Sequence, residues 1–216
     1  MRGFIPGAVT LLVLSCAASG CTGEEPRERG RASLTSADLE DAVLAGEHSG
    51  FEVIPQREPL LEDMDVVTAA EPSCQPLADL RSARPEHQPT GTTWAALRSG
   101  HGPGGASIVL TSLAQGEAKA WMTELKAAVT ACEDYSIASQ RGWSDRAALV
   151  ALPSVDVGDE SLSFSATSHH TPGESQVTTI VRTGGSLAVY LTPPRGKQLP
   201  ASLMKQQHEK LAAAGD

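Results

Sequence analysis

A basic residue, Arg2, precedes an apolar run from Ala8 through Val9, Leu11, Leu12, Val13 and Leu14 to Ala18, and small residues follow. That is the order of an export signal. No other feature constrains the chain as much. It removes residues 1–20 from fold reasoning and sets the rest to fold outside the cytoplasm. Pro6 and Gly7 break the apolar stretch, which is shorter than the roughly 20 residues a spanning helix needs. A permanent transmembrane anchor is therefore the weaker alternative.

Ala18-Ser19-Gly20-Cys21 resembles the lipobox read by lipoprotein signal peptidase. Small side chains before the cysteine let a peptidase approach the backbone, and the thiol is the nucleophile that accepts diacylglycerol. The resemblance implies cleavage before Cys21 and a membrane anchor of two or more acyl chains on that residue, each contributing about 0.8 kcal/mol per buried CH₂. Ala18 stands where leucine is usual, which leaves Val13-Leu14-Ser15-Cys16 as a rival site. Cleavage there would leave an apolar run near the lower limit of about seven residues. An ordinary secretory signal cut near Ala18, with Cys21 as a spare thiol, is the other alternative.

Thr22 to Arg31 holds Glu24, Glu25, Pro26, Arg27, Glu28, Arg29 and Arg31 and no large apolar side chain. Such a segment cannot offset the entropy of ordering, so residues 21–33 read as a flexible tether. Its charges are mixed in sign, unlike the polybasic patches that add affinity for anionic lipid. Losing Arg2 with the signal moves the formal charge from −9 to −10, and so acidic a chain is a poor nucleic-acid binder. Residues 34–214 are expected to form a single extracytoplasmic domain large enough to bury a core.

With Cys16 lost and Cys21 acylated, Cys74 and Cys132 are left as a pair. Outside the cytoplasm such a pair is normally oxidised. Closing a loop of 58 residues gives a chain-entropy gain of about 4 kcal/mol. The alternative is two buried free thiols. A zinc site would need more ligands than His87 or His101 can supply nearby, and no metal or cofactor is expected.

Thr35 as N-cap, Asp38 three residues on, and Leu34 placed to staple onto Leu39 predict a helix over 36–45 ended by Gly46. Phe51 to Ile54 reads as a strand. A short helix is expected near 61–67 and another around Cys74, Leu77 and Leu80. Thr92 to Arg98 and Ala106 to Thr111 read as antiparallel strands around a glycine-rich loop. Ala118, Trp121, Met122, Leu125, Ala128, Val129 and Cys132 recur every three or four residues, which predicts a long core-facing helix from Glu117 to Cys132. Strands follow at 147–152, around Leu162 to Ala166, and at 177–182 and 187–191, the last two joined as a hairpin through Gly184-Gly185. A terminal helix after Pro200 carries Leu203, Met204, Gln207 and Leu211. This order predicts an α+β fold, an antiparallel sheet packed against a long central helix and terminal helices.

No catalytic constellation emerges, and the chain is not expected to be an enzyme. His101-Gly102-Pro103-Gly104-Gly105 resembles a lipase oxyanion loop, and Gly184-x-Ser186-x-Ala188 a nucleophile elbow. The elbow needs a strand followed at once by a helix, whereas Ser186 lies between strands. His169 and His170 fall in a turn, where adjacent side chains diverge. Asp156, Asp159 and Glu160 lack calcium-loop spacing. Trp121 belongs to the helix core stripe and Trp94 to the sheet interior, which leaves Trp143, in a loop, as the one tryptophan that is a candidate to face a ligand or partner.

A Cys before the sheet, the strand ending Val109-Leu110-Thr111-Ser112, the helix with Trp121 and terminal Cys132, then Val157-Gly158-Asp159-Glu160-Ser161 and Ile180-Val181-Arg182 with Gly184 resemble the extracellular sensor domain of PknH-type Ser/Thr kinases and its free-standing lipoprotein relatives. The resemblance covers Thr35 to Leu191. It implies an α+β fold with a cleft and a ligand-sensing role without catalysis. That family's domain carries two disulfides where this chain offers one, and no kinase domain is present. The functional expectation is a membrane-anchored, sensor-like module for an unknown small molecule or envelope component. The alternative is an accessory lipoprotein that docks on an envelope protein, marked by an exposed apolar patch around Trp143.

Overall fold

The computed structural model describes residues 33–57, 65–99, 105–114 and 116–215. Cys16, Cys21, the tether to residue 32 and His101 lie outside these segments, as does most of the helix expected near 61–67. In the order of the chain the elements are α1 (Ser36–Ala42), β1 (Gly46–His48), β2 (Phe51–Gln56), β3 (Val67–Ala69), a single 3₁₀ turn (Pro72–Cys74) running into α2 (Gln75–Asp79), β4 (Pro89–Ser99), β5 (Ala106–Leu113), α3 (Glu117–Ala131), β6 (Asp134–Ser139), β7 (Ser144–Leu152), β8 (Glu160–Ser168), β9 (Ser175–Thr183), β10 (Ser186–Leu191) and α4 (Ala201–Ala214). The fold class is α+β. Among the described residues no helix is long and apolar enough to cross a membrane.

All ten strands join one antiparallel sheet in the order β1-β2-β4-β5-β10-β9-β8-β7-β6-β3. Side chains alternate between faces along a strand, so β5, β9 and β10 feed two cores. Leu113, Ile180, Leu187 and Val189 meet α2 and α3 on one face. Ile108, Leu110, Val181, Ala188 and Tyr190 meet α1 and α4 on the other. The 15 residues of α3 place Trp121, Met122, Leu125 and Val129 on the first core, where each buried large side chain contributes about 1.5–3 kcal/mol.

Local chemistry sets the element ends. Thr35 N–H donates to Asp38 Oδ2 at 2.8 Å and Asp38 N–H to Thr35 Oγ1 at 3.3 Å, which completes the expected capping box. The helix stops at Ala42, earlier than expected, because Val43 is extended and it and Leu44 turn into the second core. A Cβ on Gly91 of β4 would meet Ser36 N and Thr35 C at 2.5 Å, so the missing side chain is what lets α1 start against β4. Val67 belongs to strand β3 rather than to a helix. Strand β6 was not anticipated, although Tyr135 and Ile137 alternate with polar neighbours in it.

Candidate functional site

Among the described residues, helical cover on the face that carries α2 and α3 stops short of β4. The uncovered floor has a register that orders its chemistry. Trp94 of β4, Val109 of β5 and Val189 of β10 are neighbours in one row. Thr92 lies beside Thr111 in the next row, and Ser107 beside Leu191 in the row on the other side. Trp121 of α3, Trp143 after the β6–β7 turn, and Leu80 and Pro85 between α2 and β4 raise the walls of a cleft of about 450 Å³. That size and a largely apolar lining with a few polar groups are what small-molecule sites have.

All three tryptophans of the chain therefore face one cleft. This corrects the expectation that Trp94 belongs to the sheet interior, since it lies on the cleft side of β4. Trp121 is 4% exposed and serves core and cleft together. Its Nε1–H is buried without a hydrogen-bond partner among the described residues. Trp94 points to the face opposite its buried neighbours Ala95 and Leu97, as strand alternation requires.

His87 fastens the Trp121 wall. Its ring stacks on Trp121 with centroids 5.8 Å apart and planes 25° off parallel. Nδ1 lies 2.5 Å from Glu117 Oε2 and Nε2 lies 2.8 Å from Glu124 Oε2. A neutral imidazole has one donor, and two carboxylates only accept, so both contacts are satisfied when the ring is protonated. Burial works against charging it, but the bonds to Glu124 and Glu117 and their negative charges outweigh that, and His87 titrates above the usual histidine value. The Cys74–Cys132 disulfide ties the turn leading into α2 to the end of α3, and so binds two walls of the cleft to each other.

At the rim the charged groups have distinct duties. Asp79, itself 4% exposed, accepts from Gln75 Nε2 at 2.7 Å and Glu86 N–H at 3.0 Å. Asp65 accepts from Val66 N–H at 2.8 Å and Arg141 N–H at 3.1 Å, and its carboxyl is held below the usual range by a hydrogen bond from Ser139, with help from the Arg141 charge. The Arg81 guanidinium sits over the Trp143 ring, 6.0 Å from its centroid.

The other sequence candidates lie elsewhere. His169 and His170 are exposed in the β8–β9 turn, His169 Nε2 3.5 Å from Asp134 Oδ1. Ser186 is buried where the β9–β10 hairpin returns, paired with Thr183. Asp159 and Glu160 both bind Arg182, at 3.1 and 2.5 Å. Burial opposes ionisation of Glu160, yet Lys126 and Arg182 hold its carboxyl below the usual range. Gly158, with φ of 76°, lies so close to the Arg182 carbonyl and Val181 that a Cβ would stand 2.5 Å from each. The Gly-Asp-Glu stretch is thus a structural clamp on β9. Among the described residues no group of three or more His, Cys, Asp or Glu side chains could hold a metal ion.

No family model matches the chain, and no curated protein matches it. Among solved structures, the extracellular domain of PknH from Mycobacterium tuberculosis matches with a TM-score of 0.50 at 10% identity, over 86% of this chain and 96% of that one. An Rv0999 ortholog from Mycobacterium smegmatis matches with a TM-score of 0.35 at 12% identity, over 83% of this chain and 92% of that one. At such identity the first match speaks to fold, and it agrees with the resemblance carried by the Cys-ended helix and the Gly-Asp-Glu-Ser strand: this chain has the fold of a PknH-like extracellular domain.

Proposed function

We propose that the chain is an extracytoplasmic lipoprotein, held at the membrane by acyl chains on Cys21, whose domain over residues 34–214 is a non-catalytic, sensor-like module that binds a small molecule in the tryptophan cleft. The observation that carries the reading is the convergence of all three tryptophans on one cleft. Aromatic side chains put large apolar contact area beside a solvent-facing opening, a pattern of recognition sites. A disulfide pair fits an oxidising compartment, and the fold likeness to an extracellular domain fits a module outside the cytoplasm.

The accessory-protein alternative is marked by an exposed apolar patch around Trp143. Trp143 is 40% exposed, but it forms the wall of a concavity under Arg81, which favours a small molecule. A module anchored by acyl chains needs a separate partner to pass a signal inward.

Two measurements test the reading. The N-terminal peptide of membrane-extracted protein is expected to carry glyceride-linked acyl chains on Cys21, lost together with membrane retention in Cys21→Ala. An unmodified N-terminus in the culture medium would overturn the anchor. Small-molecule fractions of the cell envelope are expected to raise the melting temperature of the wild-type protein. Hydrolysis of a generic ester or glycoside without any thermal shift would contradict the binding module.

A further inference from the structure

We infer that the ligand of this cleft is a small amphiphilic acid, with a compact apolar body lying on the Trp94–Val109–Val189 row and one anionic group meeting Arg81. This rests on the cleft being a binding site and specifies what enters it. The body follows from the floor: an indole and two valines in register, with Leu191, Trp121 and Trp143 around them. Hydroxyls of Thr92, Thr111 and Ser107 flank that row and do not interrupt it, so an apolar skeleton loses no hydrogen bonds by lying along it.

The charge follows from which rim groups are already committed. Asp79 is turned to Gln75 and to the Glu86 backbone, and Asp65 to the backbone of Val66 and Arg141, with the Arg141 charge acting on it. Among the described residues Arg81 forms no ion pair, and its guanidinium is held over Trp143 at the edge of the apolar floor. A guanidinium presents several donors in a fixed plane suited to carboxylate, sulfonate or phosphate. Among the described residues a cationic ligand would meet that charge with no uncommitted carboxylate in the cleft lining to balance it. A volume of about 450 Å³ suits one compact molecule rather than the acyl chains of a membrane lipid.

The test compares two dyes that share one aromatic body, 8-anilinonaphthalene-1-sulfonate and the uncharged N-phenyl-1-naphthylamine, on the full chain. The sulfonate is expected to bind about tenfold more tightly, in line with one charge-assisted hydrogen-bond pair. Arg81→Gln should remove that preference, so that the two dyes bind it equally, and Arg81→Lys should keep most of it. If Arg81→Gln loses its near-UV circular dichroism, the wild-type preference is read against salt instead, where it should shrink as screening grows. Equal binding of both dyes to wild type, or a preference that survives Arg81→Gln or high salt, would overturn the acid assignment while leaving the cleft reading in place. Failure of both dyes to bind, or binding indifferent to Val189→Arg, would overturn the cleft reading and this inference with it. Co-sedimentation of the Cys21→Ala chain with phosphatidylglycerol vesicles, lost in Val189→Arg, would show that the cleft takes membrane lipid and contradict a free acid. No co-sedimentation is expected.

Discussion

On the side of the sheet covered by α1 and α4, Gln207 is fully buried, accepts from Leu44 N–H and donates to the Ala42 carbonyl, both at 2.9 Å. Lys210 Nζ donates to the Val43 carbonyl at 2.6 Å, so the end of α1 is sealed onto α4. On the opposite side α3 packs on β5 and β7 to β9, and Trp94 of β4, Val109 of β5 and Val189 of β10 form the cleft floor beside it. The strands are shared, and alternation supplies apolar side chains to both faces. The face under α1 and α4 opens in a smaller pocket of about 300 Å³ beside Phe51, Leu97 and Leu199, so what separates the two faces is helix placement, with the disulfide and the His87 contacts holding the cover over the larger cleft in position.

That contrast can be broken at several points. Removing the disulfide with Cys74→Ser and Cys132→Ser should lower unfolding free energy by about 4 kcal/mol and also weaken dye binding, because the link joins two cleft walls. Denaturant titration alongside dye titration reads both effects. Leu203→Ala, in the sealed core with no exposure, should cost about 3 kcal/mol yet leave dye affinity unchanged. An equal loss of binding would show that the two faces do not act separately. Gly158→Ala should cost about 2 kcal/mol from its left-handed backbone, more if the contact with β9 does not relax, and thermal unfolding would report it.

A smaller effect is tied to pH. The folded-state value of His87 lies above the unfolded one, so its stabilisation is fully present below the ordinary histidine range and is lost as pH rises through the folded value. Melting temperature should therefore fall across neutral to mildly alkaline pH, and His87→Gln should flatten that part of the profile. Smallest in stability is Trp143→Ala. At a side chain this exposed it should change unfolding free energy by no more than about 0.5 kcal/mol while weakening the dye about tenfold.

Much of the scaffold was legible from local pattern. The α3 stripe, the Thr35–Asp38 capping box and the β9–β10 hairpin each follow from residues close together in the chain. The cleft was not, because its floor depends on β10 crossing to pair with β5, a register that no local signal sets. His87 lies 30 and 37 residues from its two carboxylates, a distance at which sequence spacing carries no geometry. Trp94 could have been placed by alternation against Ala95 and Leu97, but which face stayed open depended on where α3 would end. What Asp159 and Glu160 bind has no local signal and follows only from the pairing of Glu160 with Arg182 across β8 and β9.

The most direct test of the account is a two-dimensional proton–nitrogen spectrum of the indole region during titration with N-phenyl-1-naphthylamine. Three indole resonances are expected, one for each tryptophan. All three are expected to shift together and to saturate at one dissociation constant, because all three line one site. Movement of the Trp143 signal alone, or no saturable shift in any of them, would contradict it.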